Sequence, residues 1–358
     1  VQSGKYDTDK IAAGISQTGG QCRASNYASL IKRGLINAGY PDVPVVTVGL
    51  TVINDQPGFE LSKMDMMKEG IVAMPYADAI STMYYYTAVR ETKKGEALAL
   101  ANKYIALHPK DFSLKATDKL LKQAVVEFNA IETKDLYLPK AGLVGEIYVK
   151  YNNFANGDVC DWLMAKGVEV IVPPVFDFFV QKVISEQVNK EKHAREVSFL
   201  GYYGSKLSEK IIDARIDAVN QIMSKFKGFR PAHHIRHIAE NASKIISLTN
   251  QFGEAWLLPG EIATFAEEGV NNVLCLQPFG CIANHIIARG IETRLKTRYP
   301  DLNLLYLDMD AGASEVNTIN RLEFFVRSAK DSISDKTVVL YDEKEEYFEE
   351  RGFIKMGI

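Results

Sequence analysis

The chain has 358 residues, of which 47% are hydrophobic, so it is long enough for a sizeable core and about two domains. Its net charge of −3 gives no attraction to nucleic acid or an acidic membrane surface, and no apolar run reaches the ~18 residues of a membrane span. Four scattered cysteines are too few for a disulfide framework, which predicts a cytoplasmic location.

The first part of the chain has the order strand, glycine break, cysteine, helix. Residues 9–18 are predicted to form a strand that ends at Gly19 and Gly20, and Cys22 follows this break. A helical repeat then ends near Gly39, and residues 43–50 are predicted to form a second strand. Residues 51–137 lack strand alternation, so we interpret them as a helical insertion with helices over 97–107 and 112–131.

After residue 139 the pattern alternates between apolar strands and helices. Strands are predicted at 143–149, 168–172, 273–276 and 302–307, and the intervening helices include a long stretch over roughly 175–245. Asp158 is a plausible cap for the helix that contains Trp162. Such alternation predicts parallel sheets with right-handed crossovers.

The predicted fold class is therefore α/β, with two Rossmann-like parallel-sheet sub-domains that face a cleft and carry helical insertions. The first sub-domain is predicted to span 1–138, with its insertion at about 51–137, and the second to span 139–330. Residues 331–358 form a C-terminal tail to which the sequence assigns no place.

The stretch 271–290 repeats the arrangement around Cys22. An apolar strand ends at Gln277-Pro278-Phe279-Gly280, Cys281 follows, and a helical stripe continues through Ile286, Ile287, Ile291 and Leu295. Because ligands bind at the carboxyl edge of a parallel sheet, we expect Cys22 and Cys281 to face one cleft. Cys275 lies inside the strand, so it is predicted to be a core thiol about 20 Å from Cys281 in extended geometry.

Several familiar sites are absent from the sequence, since it contains no P-loop, GxGxxG, HExxH, paired CxxC or GxSxG motif. By position alone, Cys22 and Cys281 are equally well explained as loop thiols or as ligands, whereas Cys160 and the His233/His237 pair fit packing and a solvated helix face better. Polar residues at the predicted strand ends complete the candidate site. The candidate cofactor-binding residues are Cys22, Cys281, Gly20, Arg23, Gly280 and Asn284, and the candidate cleft residues are Tyr151, Asn250, Gln251, Glu254, Asp310 and Asn317.

Five segments resemble one family. They are TGGQCRASNY (18–27), LVGEIYVKYNNFAN (143–156), NQFGEAWLLPGE (250–261), QPFGCIANH (277–285) and DMDAGASEVNTINR (308–321). They resemble the C-terminal, dehydratase-like part of the large acyl-CoA dehydratase activase-related proteins, which are related to the 2-hydroxyglutaryl-CoA dehydratase D-component family. The resemblance covers about residues 10–326.

The resemblance implies two Rossmann-like domains that hold an iron–sulfur cluster of the 4Fe-4S type between cysteines of both. Cys22 matches the cysteine of the TGGxCRxSNY segment, and Cys281 matches that of the QPFGC segment. Relatives remove water from (R)-2-hydroxyacyl-CoA through ketyl radicals, with an electron supplied by an ATP-hydrolysing activase segment or subunit. The expected partners are therefore that activase and an acyl-CoA, with no nucleic acid and no membrane.

The sequence departs from the family pattern because it lacks the ATPase segment and the upstream cysteine-bearing part, which suggests a piece of a longer protein. Cys160 stands where relatives are expected to have no cysteine. Two hypotheses follow. One is an iron–sulfur redox module for ATP-driven electron transfer to or at an acyl-CoA, acting as a lyase or a reductase component. The other is a domain without a cluster that binds a CoA ester or a partner subunit.

Overall fold

The computed structural model describes residues 4–17, 22–48, 62–107, 113–310 and 312–333. It contains helices and two parallel β-sheets, which confirms the predicted α/β class. The strands are β1 (Ala13–Ser16), β2 (Val45–Val48), β3 (Lys140–Gly145), β4 (Glu169–Ile171), β5 (Asn272–Gln277) and β6 (Asn303–Asp308). One sheet pairs β1 with β2, and the other has the order β4-β3-β5-β6.

The helices cover most of the remaining described residues. In chain order they are α1 (Tyr27–Asn37), α2 (Lys63–Ala88), α3 (Glu96–Ala106), α4 (Leu114–Ala130), α5 (Ile147–Tyr151), α6 (Asn153–Asn156), α7 (Val159–Ala165), α8 (Val175–Glu191), α9 (Phe199–Met223), α10 (Ile235–Ser243), α11 (Leu257–Glu267), α12 (Glu292–Arg298) and α13 (Glu315–Asp331). Short 3-10 turns cover Thr8–Lys10 and Arg23–Asn26, and a π-helical segment covers Ala283–Ala288. None of the helices in these described parts is both long and apolar enough to cross a membrane.

The first sheet carries a strand, a cysteine and a helix in the predicted order. β1 is shorter than predicted, and Cys22 comes directly before the 3-10 turn that leads into α1. Ala13 pairs with Val45, so β1 and β2 run side by side in parallel. Gly20, which was predicted to bind the cofactor, and the far end of the strand predicted at 43–50 lie outside the described residues.

The second sheet is covered on both faces by helices. All residues of β5 are buried, because Leu274 and Leu276 pack with α7 and α13 on one face while Val273 and Cys275 pack with α11 on the other. A strand buried on both faces needs a continuous apolar run, which is the pattern that predicted β5 from the sequence.

The predicted helical region is present in its described parts as α2, α3 and α4. Two helices were predicted within it, at 97–107 and 112–131. Their predicted bounds lie within a few residues of those of α3 and α4. These helices form a core with α9 in which Met83 and Leu121 meet Val219 and Phe226. The core of this layer thus draws on residues from both sides of residue 139, and the division of the chain into sub-domains at that residue stays a prediction.

The strand predicted at 143–149 begins and ends earlier than expected. β3 ends at Gly145, whose φ of 134° lies in a region that favours glycine. Glu146 then starts α5, since its side chain accepts a hydrogen bond from the backbone N–H of Val149. The prediction was wrong over the last residues because this carboxylate caps a helix at a point where the apolar pattern still allows a strand.

The predicted helical stretch over roughly 175–245 is confirmed as three helices, α8, α9 and α10, and α9 begins where the Ser198 side chain accepts from the N–H of Gly201. The prediction that Asp158 caps the helix of Trp162 was wrong. Asp158 stands before α7, but its backbone is left-handed (φ 53°) and its side chain makes no capping bond. The side chain of Asn156 accepts from the N–H of Val159 instead.

Candidate functional site

The loops that carry Cys22 and Cys281 touch each other. The guanidinium of Arg23 donates a hydrogen bond to the backbone carbonyl oxygen of Phe279, a residue 256 positions away in the chain. Cys22 is partly exposed, whereas the Cys281 side chain is buried. The contact therefore joins the break after β1 to the break after β5.

The turn before Cys281 is built from residues with special backbone properties. β5 ends at Gln277, Pro278 has no backbone donor, and Gly280 takes a φ of 78° in the left-handed region. The carboxylate of Asp310, from the end of β6, accepts from the N–H of Phe279 at 2.8 Å. Gly280 and Asp310, both predicted site residues, therefore shape the loop that presents Cys281.

Cys281 lies in a buried polar contact with Asn284. The side-chain amide of Asn284 donates to Sγ of Cys281 at 3.0 Å. Burial, followed by the nearby Glu254 carboxyl, raises the pKa of the Cys281 thiol to about 11, although the Asn284 contacts oppose this. Only the thiolate is a good metal ligand or nucleophile, so Cys281 needs a metal ion or another positive group to ionise it at neutral pH.

Asn284 also contacts Cys275, which places the two cysteines near one another. The Cys275 thiol donates to Oδ1 of Asn284 at 3.5 Å, and the same amide donates to Cys281. The predicted separation of about 20 Å was wrong because the chain reverses at Gly280 and folds back over β5. Cys275 is nevertheless a core thiol as predicted, since it is fully buried and burial raises its pKa well above the usual value.

The helix after Cys281 is π-helical at its start. Of the predicted buried stripe, Ile287, Ile291 and Leu295 are buried, but Ile286 is 64% exposed. A π-helical turn holds one residue more than an α-helical turn, which rotates Ile286 away from the face predicted by a 3.6-residue period. In this segment Nε2 of His285 lies 3.2 Å from Oδ1 of Asp308.

A second link between the two sheets joins Tyr27 to Glu146. The Tyr27 hydroxyl donates to Oε1 of Glu146 at 3.1 Å, and its ring packs against that of Tyr148. Burial raises the pKa of both the Tyr27 hydroxyl and the Glu146 carboxyl. Neither Tyr27 nor Glu146 was among the candidate site residues predicted from the sequence. A polar residue directly after an apolar strand is a signal that could have identified Glu146.

A cavity of about 950 Å³ lies beside this link, at the carboxyl ends of β1, β2 and β3 and against α8. Tyr151 and Gln251, two of the predicted cleft residues, line this cavity. Its wall also includes Gln17, Tyr27, Glu146, Tyr148, Phe178 and Phe179. A cavity of this volume is large enough to hold a small molecule.

The other predicted cleft residues have different surroundings. Glu254 is buried next to Asn284, with 3.5 Å between its Oε1 and the amide nitrogen. Asn250 bonds to the carbonyl of Ser247 and is absent from the wall of the cavity, and Asn317 is exposed in the first turn of α13. Glu254 therefore lies behind Cys281, while Asn250 and Asn317 have no described contact with either cysteine or the cavity.

Buried charges surround this region. Nζ of Lys150 lies 3.2 Å from Oε1 of Glu261, and both side chains are almost fully buried. Burial raises the pKa of Glu254 to about 7, with the Glu146 carboxyl as the next cause. Asp177 is also buried, and burial raises its pKa well above the usual range. One ammonium therefore stands among several carboxyls, a combination that sequence spacing did not reveal.

Cys160 belongs to a different part of the core. It packs with Trp162 and Leu163 in the cluster on the α7 face of the second sheet, whereas Cys281 packs on the opposite face. Burial raises the pKa of Cys160 to about 12. Of the two interpretations of Cys160, these surroundings fit a core thiol better than a metal ligand.

The described residues do not by themselves provide the ligands of an iron–sulfur cluster. Among them no group of three His, Cys, Asp or Glu side chains is arranged to hold a metal ion. All four cysteines are outside disulfides, and Cys22 and Cys281 are the two whose loops meet. Clusters are usually held by four thiolates, so further ligands would have to come from outside the described residues.

Comparison with known proteins adds no relative. No protein-family model, no curated protein and no solved structure matches the chain.

Proposed function

We propose that the chain is the acyl-CoA-binding redox module of a 2-hydroxyacyl-CoA dehydratase or activase system. In this proposal Cys22 and Cys281 contribute two thiolate ligands to an iron–sulfur cluster, and the other ligands come from outside the described residues. An ATP-hydrolysing activase segment or subunit is the proposed electron donor. The α/β parallel sheets are proposed to be Rossmann-like, and four cysteines outside disulfides suit a reducing, cytoplasmic compartment.

The observation that carries the proposal is the contact between Arg23 and Phe279. It joins two loops that each follow a parallel strand, a position where open α/β sheets bind ligands. Arg23 also brings a positive charge to the turn that precedes Cys281, which favours an anionic group such as a thiolate-ligated cluster. The cavity next to Tyr27 and Glu146 supports a small-molecule substrate beside this point.

The test is anaerobic reconstitution of the 358-residue chain with iron, sulfide and 2-mercaptoethanol, since a small thiol can supply thiolate ligands that the chain lacks. We expect bound iron and sulfide and a charge-transfer absorption band that are lost in Cys22→Ser and in Cys281→Ser. Cys160→Ser is the matched control, because Cys160 is buried on the other face of the sheet, and it should retain iron. Absence of iron, or iron that survives both substitutions, contradicts the cluster.

A second candidate function is binding of a CoA ester without any cluster. The specific observation in its favour is the cavity of about 950 Å³, whose wall combines the aromatic rings of Tyr148, Phe178 and Phe179 with polar groups at the strand ends. Pockets of this size and mixed lining are typical of small-molecule sites. Neither Cys22 nor Cys281 is part of that wall, so this site does not require the cysteines.

Thermal unfolding in the presence of butyryl-CoA separates the two functions, since a ligand that binds the folded state raises the melting temperature. Stabilisation in the metal-free chain that persists in the Cys22→Ser/Cys281→Ser double variant favours a binding domain. Stabilisation that requires both cysteines and iron favours the redox module. If butyryl-CoA has no effect under either condition, the acyl-CoA part of both proposals is wrong.

A further inference from the structure

Helix α9 carries large apolar side chains on the side that faces the solvent. Five of them are between 52% and 83% exposed, namely Phe199, Leu200, Tyr203, Leu207 and Ile211. Four of these residues recur at intervals of four and Leu200 lies beside them, so together they form one stripe along the helix. The core side of α9 consists of other residues, among them the buried Ile212 and Ile216. An exposed apolar stripe of this kind marks an interaction surface.

The same side of α9 carries small side chains in its second half. Ala214 and Ala218 continue the stripe at helical spacing, and Ala214 is exposed while Ala218 is partly exposed. When two identical helices lie antiparallel, the large end of each stripe covers the small end of the other. Leu207 then packs against Ala214 of the partner subunit. Large side chains against small ones allow two helices to approach closely, so the stripe is complementary in shape to its own reversed copy.

The charges along one border of the stripe change sign in the same direction. Lys206 and Lys210 come first, and Asp213 and Asp217 follow on the same border at spacings of three and four. Lys206, Lys210 and Asp217 are exposed, whereas Asp213 is partly buried, and both aspartates also contact His234. A two-fold axis between antiparallel copies keeps this border on one side of the pair and reverses its direction. Each lysine then faces an aspartate of the other copy, whereas parallel copies would place lysine against lysine.

We propose that the outer side of α9 is a docking surface for a second copy of the chain, with the two helices antiparallel about a two-fold axis near Ile211. Both the size and the charge of the side chains reverse along this one helix, which is the pattern that a two-fold contact between identical surfaces requires. A single pair of helices covers less area than a standard interface, so we expect a dissociation constant in the micromolar range. This inference goes beyond the proposed function and involves none of the cysteines.

The experiment measures the mass of the full chain by analytical ultracentrifugation, from submicromolar to high micromolar concentrations. We expect a reversible change from one chain to two. Leu207→Glu places a carboxylate in the middle of the stripe and should weaken the dimer at least about thirtyfold, the loss typical of a central anchor residue. Leu207 is 61% exposed, so the variant should remain folded, which its thermal unfolding checks. The matched control is Val126→Glu on α4, where Val126 is 68% exposed, and it should not change the dissociation constant.

Two charge reversals test the antiparallel arrangement. Lys206→Glu and Asp217→Lys each set like charges against each other at two places in the dimer, so either change alone should weaken it about tenfold. In an equimolar mixture of the two variants, every charge in the mixed dimer faces its opposite, and the affinity should be restored. Within one chain Lys206 lies over the ring of Tyr202 and Asp217 contacts His234. Mixing does not repair those contacts, so a restored affinity reports the contact between chains.

Three results would overturn the proposal. A chain that stays monomeric at every concentration means that the stripe does not bind a second copy, whatever else covers it. A dimer that Leu207→Glu leaves intact forms through another surface. A dimer that Leu207→Glu disrupts, but that mixing the two charge variants does not restore, lacks the antiparallel register. None of these results depends on iron or a CoA ester, so they leave the proposed function as it stands.

Discussion

Arg23 donates a hydrogen bond from its guanidinium to the backbone carbonyl of Phe279, and this contact links the first sheet to the loop that carries Cys281. Tyr27 adds a second link through its hydroxyl bond to Glu146. Both donors lie within the short stretch that follows Cys22. The position of Cys22 relative to Cys281 therefore depends on a few polar contacts made by that stretch.

Replacing Arg23 is expected to loosen both cysteine loops. In Arg23→Ala the carbonyl of Phe279 loses its partner, so backbone amides over 22–27 and 279–284 should exchange with deuterium several-fold faster. Arg33→Ala is the control, since Arg33 is an exposed residue on α1, and it should leave exchange in both loops unchanged. Exchange that accelerates around Cys22 alone would mean that the contact does not hold the Cys281 loop.

The buried pair Lys150–Glu261 gives a prediction about stability. Lys150→Met leaves the Glu261 carboxylate buried without its cation, which typically costs about 3–5 kcal/mol. The free energy of unfolding, measured by urea denaturation, should fall by this amount. Lys150→Met/Glu261→Met removes both charges and should be more stable than Lys150→Met alone.

Lys296→Met provides the matched control for that pair. Lys296 forms a similar contact with Glu292 at 2.7 Å, but both side chains are substantially exposed to solvent. Exposed pairs contribute about 0–1 kcal/mol, so this variant should unfold almost like the unaltered chain. Equal losses for Lys150→Met and Lys296→Met would show that burial does not set the strength of these pairs.

The fold was predictable where local pattern and burial agree. The continuous apolar run from Val273 to Leu276 identified β5 because a strand covered on both faces has no polar positions to confuse the pattern. Predictions failed where a single polar contact or an irregular turn decides the outcome. Glu146 ends β3 by capping α5, and the π-helical turn exposes Ile286.

The site was predictable only in part, for a related reason. Asn284, Asp310, Tyr151 and Gln251 were named as candidates because they follow predicted strands. The carboxyl edge of a parallel sheet brings together the residues that follow its strands. No local pattern encodes a contact between residues hundreds of positions apart. The opposite walls of one cavity, such as Gln17 and the aromatic residues of α8, meet only in the folded chain.

The reactivity of the cysteines should differ strongly. Cys22 is partly exposed, whereas Cys281 is buried with its pKa raised to about 11, so at pH 8 only roughly one in a thousand Cys281 thiols is ionised. With iodoacetamide, followed by mass spectrometry of peptides, Cys22 should be labelled first, and Cys160, Cys275 and Cys281 far more slowly. In denaturant all four should react. Equal labelling of Cys22 and Cys281 in the folded chain would contradict the buried contact with Asn284.

Gly145 is expected to be intolerant of a side chain. A Cβ atom there would lie 2.0 Å from the carbonyl oxygen of Leu276, and the φ of 134° disfavours any other residue. Gly145→Ala must therefore shift the backbone between β3 and β5, and we expect a loss of about 3 kcal/mol or more in unfolding free energy. Gly14→Ala on β1 is the control, since its Cβ meets nothing within 4 Å, and similar small effects from both variants would contradict the prediction.

Glu254 gives a prediction about pH. Folding raises its pKa from 4.5 to about 7, so between these values the folded chain holds a proton that the unfolded chain has released. Its contribution to stability is complete below pH 4.5, declines as the pH rises toward 7, and is absent above that. The shift corresponds to roughly 3 kcal/mol, because each unit of pKa is worth about 1.4 kcal/mol.

Glu254→Gln tests this because the neutral amide keeps an oxygen for Asn284 but cannot ionise. Between pH 5 and pH 8 the unaltered chain should lose roughly 2.5 kcal/mol more unfolding free energy than the variant, as measured by urea denaturation at both pH values. Asp78 and Asp177, whose pKa values burial also raises, contribute in the same direction to both proteins and cancel in the difference. Glu69→Gln, at an exposed position of α2, should keep the pH dependence of the unaltered chain. A Glu254→Gln variant that loses as much stability as the unaltered chain would mean that Glu254 is already ionised at pH 5.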